Sequence, residues 1–594
     1  MTIRPAFIKI MLCLLLATEL APAQDFITNI QGRNTISLNG KWNALVDPTD
    51  AGISDWSGVW KDRTATGKTD FYEYGFEGGP VLDVPGDFNS QLPGLANYES
   101  SVWYKKIIPY HKTGKRVFIY FGAVNYKCDV FLNGRKIGSH EGGFTPFQFE
   151  LTDKINEGSN SLLVRANNER QRDGVPARGF DWFNYGGITR EVYLLEMPEH
   201  FIEDYFIQLK KGTTNEIEGW VKINGGAAGQ TVRVQVPEAA IDYKTSTNDA
   251  GYAPVKFTAK LALWSPEQPK LYHVIISTDA DKTEEAIGFR SIEVKGTDIL
   301  LNGKPVFLKG VDMHDENPQR KARAWSSSDA LQLLTWVKEL GCNFVRLAHY
   351  PHNEYTVRLA DKMGIMLWEE IPVYQGIAFS DPVMQEKMNY MLREMLRRDK
   401  NRCATILWSM SNETVPGPDR DRTIANMAAL CRSLDPTRLV TSAFDHIKYQ
   451  NNTVTIDDTL GNALDVLAVN EYLGWYRPWP AAPENMVWKS AFNKPLIMSE
   501  FGAEALYGNH GTADTASHWN EEYQEKVFKD QTAMFKNIPF LRGTTPWILV
   551  DFRSPTRMHP VYQQGWNRKG LLSDQGFKKK AWYIIKQFYD TMPR

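Results

Sequence analysis

A chain of 594 residues exceeds what one hydrophobic core usually organises, so roughly two to four domains are expected. Its 42% apolar and 23% charged residues are those of a soluble globular protein, and a net charge of −2 offers no field to draw nucleic acid or an anionic membrane surface. A small neutral or locally matched substrate fits better, and the 18 Trp and 25 Tyr supply flat, hydrogen-bonding rings that suit sugar faces as well as cores.

Arg4 and Lys9 precede the apolar run from Ile10 to Ala17, and Ala21-Pro22-Ala23 follows, the three parts of a secretory signal peptide over residues 1–23. Cleavage there leaves Gln24 first, with the periplasm as the expected destination. The run is too short to span a bilayer, and no later segment is long and apolar enough to do so. A lipoprotein anchor at Cys13 is the lesser alternative, because small residues do not precede it. Cys128, Cys342, Cys403 and Cys431 lack paired spacing or a His-rich metal pattern, which predicts buried free thiols.

From residue 24 to 198 short alternating segments such as KRVFIYFGAV, CDVFLNGRKIG and NSLLVRANN are broken by turns, the pattern of a β-sandwich. Residues 199–294 continue as β, with IEGWVKING, TVRVQVP and LYHVIIST separated by Gly, Asn and Pro, in a stretch of immunoglobulin size. Neither stretch shows a long repeat or a low-complexity linker, so the domains are expected to pack against one another. From 295 to 594 strand runs alternate with amphipathic ones such as SSDALQLLTWVKELG, the pattern of parallel βα units. Eight strands are countable, in VFLKGVDMH, NFVRLAHYP, GIMLWEEIP, TILWSMSNE, RLVTSAF, LDVLAVNEY, PLIMSEFG and RGTTPWILVDF, and eight is the number of a (β/α)8 TIM barrel. Barrel enzymes keep catalytic side chains at the C-terminal strand ends. Here those ends carry His314, Arg346, His349, Glu370, Glu413, Asn470, Tyr472, Glu500 and Trp547.

Two carboxylates close strongly apolar strands, Glu413 after TILWSMSN and Glu500 after PLIMS, on strands four and seven. Hydrolysing a glycosidic bond with retention needs one carboxylate to attack the anomeric carbon and one carboxylic acid to protonate the leaving oxygen, about 5–5.5 Å apart. A strand-ending Glu is equally well a solvated loop residue when it stands alone; the pair, with Asn412 beside one and Phe501 beside the other, is what points to glycoside chemistry.

At these residues the sequence resembles glycoside hydrolase family two, the family of β-galactosidase, β-mannosidase and β-glucuronidase. VPGDFN, SVWYKK, DVFLNGRKIGSHEGGFTPF, LWSPEQPKLY, IGFRSIEV, LLNGKPVFLKGVDMHDE and RLAHYPH resemble its successive domains in order, and WSMSNE followed by MSEFG is the specific signature. The resemblance implies a sugar-binding-like jelly roll, an immunoglobulin-like sandwich and a catalytic TIM barrel. It makes Glu413 the acid/base and Glu500 the nucleophile. Arg346 and Tyr472 are similar to residues beside the nucleophile, Asn412 is expected at the sugar 2-hydroxyl, and His349 at other sugar hydroxyls. Trp547 is expected as a wall under the sugar ring, with a packed core Trp as its alternative.

Specificity leans toward glucuronide. Asn567 and Lys569 in GWNRKGLLS resemble the Asn-x-Lys element that holds the sugar carboxylate in β-glucuronidases, and the chain ends one helix after the barrel as theirs do. Asp181 in DWFNYGGITREVYL and Tyr476 in NEYLGWY lie in runs similar to the same group's. Against this, shorter β-galactosidases carry a like run, and the further Arg that often precedes the element is not evident in VYQQGWNRKG, where Gln563 and Gln564 stand. The reading is an exo-acting retaining β-D-glucuronidase with β-galactosidase as its alternative.

His314, His349 and His352, with Asp315 and Glu316, invite a metal reading that their spacing does not support, so neither metal nor cofactor is expected. An idle sugar-binding protein on the same fold is disfavoured by the presence of both carboxylates. An acyl or peptide hydrolase is disfavoured by the lack of a GxSxG run. The expected partner is a carbohydrate substrate, with homo-oligomerisation left open.

Overall fold

The computed structural model describes residues 25–70 and 73–593. The leader and Cys13 lie outside the described residues. The alternating segments of the first third form two facing antiparallel sheets, one of six strands built on Ser101–Tyr110 and Gly158–Asn167, the other of four built on Arg116–Phe121 and Val192–Met197. Inward residues such as Trp42, Tyr104, Ile119 and Val164 fill the space between them. A second sandwich follows, with a three-stranded and a four-stranded sheet closing over Tyr205, Val221, Val234 and Ile276.

The last three hundred residues close into a parallel barrel. Its first strand, β1, is split into Leu308–Lys309 and Asp312–Met313. The early piece pairs with the eighth strand (Leu308↔Gly543) and the later piece with the second (Asp312↔Arg346), which shuts the cylinder. The others are β2 (Phe344–Leu347), β3 (Met366–Glu370), β4 (Thr405–Asn412), β5 (Leu439–Phe444), β6 (Leu467–Asn470), β7 (Leu496–Glu500) and β8 (Leu541–Thr544). β2 to β7 are buried at every position, as strands covered on both faces must be. The first crossover helix, Ser327–Leu340, begins in a capping box between Ser326 and Asp329 and ends on Gly341 in the left-handed region. Between β5 and β6 and between β6 and β7 the crossovers use short 3-10 turns and a small sheet of Lys448–Gln450, Thr453–Ile456 and Val487–Ser490. No helix among the described residues is long and apolar enough to cross a membrane, and Cys128, Cys342, Cys403 and Cys431 are buried free thiols.

The domains are fixed to one another by buried charge. Strand Phe201–Leu209 of the second sandwich is buried throughout because its outer face lies on the end of barrel helix Pro382–Asp399. There the Lys400 ammonium donates to both Asp204 oxygens at 2.6 Å, Arg397 stands 3.4 Å from Asp204, and Asn401 bonds the backbone of Tyr205 and Ile207. From the first sandwich, Thr145 and His140 reach Glu394 of the same helix at 2.6 and 3.0 Å. Replacing Lys400 by Ala leaves a buried carboxylate with Arg397 as its remaining cation, which should cost about 3 kcal/mol. The expected result is an earlier urea transition, largely recovered in Lys400→Ala/Asp204→Ala; an unshifted transition in the single variant would contradict it.

Candidate active site

Glu413 follows β4 directly, and its backbone NH donates to the carbonyl of Ala443 on β5 at 2.9 Å. Its φ of 50° lies in the left-handed region, which a non-glycine residue adopts at a cost of about 1–3 kcal/mol. That turn carries its carboxyl to two amides: Asn470 donates to Oε1 at 2.8 Å and Gln375 to Oε2 at 3.0 Å. Glu500, the last residue of β7 and 5% exposed, is held by a guanidinium and a phenol. Arg346 donates to its Oε1 at 2.9 Å and Tyr472 to its Oε2 at 2.8 Å.

Arg346 on β2 is wholly buried and spends every part of its fork. Besides Glu500 it donates to Glu370 at 3.2 and 3.0 Å, to the Ser499 carbonyl at 3.1 Å and to Asn412 Oδ1 at 2.7 Å, and Asp312 lies 3.5 Å away. Burial works against the Glu370 anion, but Arg346 and a 2.9 Å contact with His349 Nδ1 outweigh it and hold that carboxyl at about 2. For Asp312 burial prevails over Arg346, and its carboxyl is pushed far up.

Burial, and next the charge of Glu413, push the Glu500 carboxyl up to about 8; burial and the charge of Asp445 raise Glu413. Two interacting carboxyls that are both raised hold one proton between them over the neutral range. The larger rise falls on Glu500, yet the donors differ in kind. A guanidinium and a phenol stabilise the Glu500 anion, whereas Glu413 receives only neutral amides, so the shared proton belongs on Glu413.

Asn412 and Asn470 bind each other, Nδ2 of Asn470 donating to Oδ1 of Asn412 at 3.1 Å, and Ser499 fixes Asn470 by donating to its Oδ1 at 2.7 Å. The amide Nδ2 of Asn412 is buried without a protein partner, a donor left for a ligand. Trp547, 5% exposed, stacks on His349 at 4.8 Å and meets His314 edge-on at 5.3 Å. His314 is 3% exposed, binds Tyr350 OH through Nδ1 at 3.1 Å and packs on Phe552 at 4.3 Å, with burial driving its pKa down. His314 thus lies against Trp547 and Phe552, and its Nε2, like Nδ2 of Asn412, is buried without a protein partner.

A cationic end adjoins the carboxylates through Tyr472, whose ring meets Tyr476 edge-on at 5.1 Å. The Tyr476 phenol oxygen accepts from Lys569 Nζ at 2.7 Å and from Arg557 Nη1 at 3.1 Å, leaving its own proton free to donate. Asn567 turns its Oδ1 onto the Lys569 backbone NH at 3.1 Å and so shapes the loop. Glu504 balances both cations, 3.4 Å from Lys569 and 3.5 Å from Arg557. Asp181 of the first sandwich is bound by Arg557 at 2.7 Å and by the hydroxyls of Ser554 at 2.5 Å and Thr556 at 2.7 Å. Despite burial, Arg557 holds its carboxyl low.

VYQQGWNRKG itself holds no Arg before Asn567, but the structure brings one in from further upstream. Arg557, ten positions before Asn567, reaches the same phenol as Lys569, because Ser554 and Thr556 pin its loop to Asp181. Arg568 instead turns away to Asp574 and Asp551 at 2.7 and 3.3 Å. Asp181 accordingly serves as a clasp for Arg557. Gln375 and Glu504 were also missed; neither sits in a motif, and only proximity reveals them.

Three family models match in succession: the sugar binding domain of glycosyl hydrolases family 2 over residues 35–198, its middle domain over 200–290 and its TIM barrel domain over 292–593. The chain is 30% identical to a β-glucuronidase of Bacteroides fragilis, covering 85% of this chain and 78% of that one. It is 26% identical to one of Paenibacillus borealis, covering 91% and 97%. In fold it is similar to Ruminococcus gnavus β-glucuronidase, with TM-score 0.81 at 24% identity over 95% and 98% of the two chains. A β-galacturonidase of Eisenbergiella tayi shares the fold at TM-score 0.79 and 24% identity, over 95% and 97%.

The coupling of the two carboxyls is directly measurable. Glu500→Gln removes the anion that helps keep the shared proton on Glu413, so Glu413 should ionise at lower pH in that variant. Carboxyl-band infrared titration or carbon-13 NMR of labelled Glu reads this shift; an unmoved Glu413 titration would mean that the groups do not interact.

Proposed function

The chain belongs to glycosyl hydrolase family 2, and on that premise we propose that it is an exo-acting retaining β-D-glucuronidase, exported through its N-terminal leader. It is a glycoside hydrolase, and the observation that carries the finer reading is the convergence of Lys569 and Arg557 on the Tyr476 phenol beside Tyr472, the residue that holds Glu500. A sugar seated over the Glu500 carboxylate with its C6 group toward Tyr476 would meet an ammonium and a phenol OH, donors suited to a carboxylate.

Glu500, kept ionised by Arg346 and Tyr472, attacks the anomeric carbon while Glu413 gives its proton to the glycosidic oxygen. The aglycone leaves and a glycosyl ester on Glu500 remains. Glu413, now a carboxylate, takes a proton from water, which attacks the same carbon and frees Glu500. Asn412, whose Oδ1 is tied to Arg346 and Asn470, offers its free Nδ2 to the 2-hydroxyl, a bond that strengthens as the transition state develops. Trp547 and His349 form one stacked wall of the pocket.

Three outcomes follow. Glu500→Gln abolishes turnover of every glycoside, whereas Glu413→Gln spares the first step for p-nitrophenyl glycosides and slows poor leaving groups by roughly 10²–10⁴-fold. Equal loss with good and poor leaving groups would remove Glu413 from the acid role. Because both pKa values are raised, the protonated acid persists well above the usual carboxylate range. The kcat/KM profile should therefore fall on its alkaline side as that proton leaves, and Glu413→Gln should erase that limb. A limb that survives in Glu413→Gln would assign it to another group.

The sugar is decided by kcat/KM for p-nitrophenyl β-D-glucuronide against β-D-galactoside. Glucuronide should be preferred, and Lys569→Ala should lower its kcat/KM roughly 100-fold while leaving galactoside little changed. A galactoside preference would replace the reading with a β-galactosidase. Export to the periplasm is supported by the leader in the sequence, and N-terminal sequencing of the exported protein should begin at Gln24.

A further inference from the structure

Beside the pocket, the seam between the first sandwich and the barrel opens into a cleft of about 390 Å³. Tyr98 and Phe183 line it from the sandwich, and Lys321, Arg553 and Trp566 from the barrel. The Arg553 guanidinium carbon lies 3.6 Å from the centre of the Phe183 ring, a stacking that fixes its plane and orients its donors. Only its backbone NH is engaged, donating to Glu316 at 3.0 Å. Among the described residues the side-chain nitrogens of Arg553 and Lys321 make no hydrogen bond and no ion pair. Neither side chain forms an ion pair with a nearby carboxylate. Glu99 lines the same cleft and is spent on Arg170 at 2.9 Å, and burial pushes Glu316 up to about 7.

Two cations without counter-ions, held in a cavity of small-ligand size with aromatic faces, describe a receptor for an anion carried on a flat, partly apolar body. Arg165, Arg346 and Arg438 are matched to carboxylates and Arg290 to backbone carbonyls, whereas the side-chain donors of Arg553, which lines the cleft, are met by neither. The cleft also shares its walls with the pocket. Phe183 is two residues from Asp181, Arg553 precedes Ser554 of the Asp181 clasp, and Trp566 precedes Asn567. We propose that this cleft is a second glycan site, binding an acidic sugar residue through its carboxylate or sulfate, separate from the pocket where hydrolysis occurs. Arg553 and Lys321 take the anion, and Tyr98 and Trp566 take the ring. The site goes beyond the glucuronidase reading and does not depend on which terminal sugar the pocket removes.

Calorimetric titration of the full chain tests it with hyaluronan and chondroitin 4-sulfate tetrasaccharides that end in N-acetylhexosamine, so that removal of a terminal glucuronide does not consume them. Cellotetraose is the neutral control. At least one acidic tetrasaccharide should bind, cellotetraose should not, and both Arg553→Ala and Lys321→Glu should weaken acidic binding about tenfold or more. If only the sulfated probe responds, the anion is sulfate; if both respond, a carboxylate suffices. Lys321 is exposed, so its variant carries the test even where Arg553→Ala fails to fold. Turnover of p-nitrophenyl β-D-glucuronide, which reports on the pocket alone, should be unchanged in Lys321→Glu. Tetrasaccharide binding that both variants weaken, in a protein that never cleaves glucuronide, would keep the cleft and sink the pocket reading. Acidic probes that fail to bind the parent chain, bind the variants equally well, or bind no better than cellotetraose would overturn the proposal.

Discussion

One buried guanidinium organises the barrel mouth. Taking an arginine out of water is costly unless its charge and donors are met, and Arg346 meets its requirements by gathering Glu370, Glu500 and Asn412 around it. Those three residues end strands three, seven and four, so satisfying one side chain sets the relative heights of three strand ends. The proton distribution follows from the same contact. Glu370 is closest to full pairing and stays ionised, while Asp312, lower in the barrel and without hydrogen-bonded donors on either oxygen apart from its approach to Arg346, is driven toward neutrality. Glu500 lies between these extremes, ionised only because a phenol joins the guanidinium.

The strands that carry this arrangement were readable because burial on both faces leaves a continuous apolar run with a polar residue at its end. TILWSMSNE and PLIMSEFG announce both the element and the site in this way. The split first strand was countable for the same reason, although Gly310 and Val311 break its ladder. Less legible were the crossovers around β6, where Pro- and Asn-rich sequence makes a small sheet and 3-10 turns in place of helices. Roles that depend on distant partners were beyond reach. Asp181 and Arg557 lie 376 positions apart, and a loop reading TRMHPVYQQG looks like a solvated turn until Ser554 and Thr556 are seen to bind the sandwich.

The two sandwiches differ in what they contribute. The second is attached through buried charge at Asp204 and Lys400, at the end of barrel helix Pro382–Asp399 and on the outside of the barrel. The first reaches the mouth itself. Trp182 packs 5.5 Å from His349, and Asp181 holds the loop that presents Arg557 to Tyr476. On the proposed reading, the barrel supplies the bond-breaking groups and its neighbour completes the wall by which a sugar is recognised.

That division of labour separates two properties that are usually treated as one. Glu413 and Glu500 are tied to barrel strands by contacts made within the barrel, whereas the Asp181 to Arg557 to Tyr476 line crosses a domain seam whose other links, such as Arg190 to the Pro351 carbonyl at 2.7 Å, are separate from the barrel's own ladder. Seams between domains open at lower free energy than the cores on either side. On warming, the contact that sets Arg557 against Tyr476 should therefore loosen before those that hold Glu413 and Glu500, so that on the proposed reading a partly heated sample becomes less choosy among sugars before it becomes inactive.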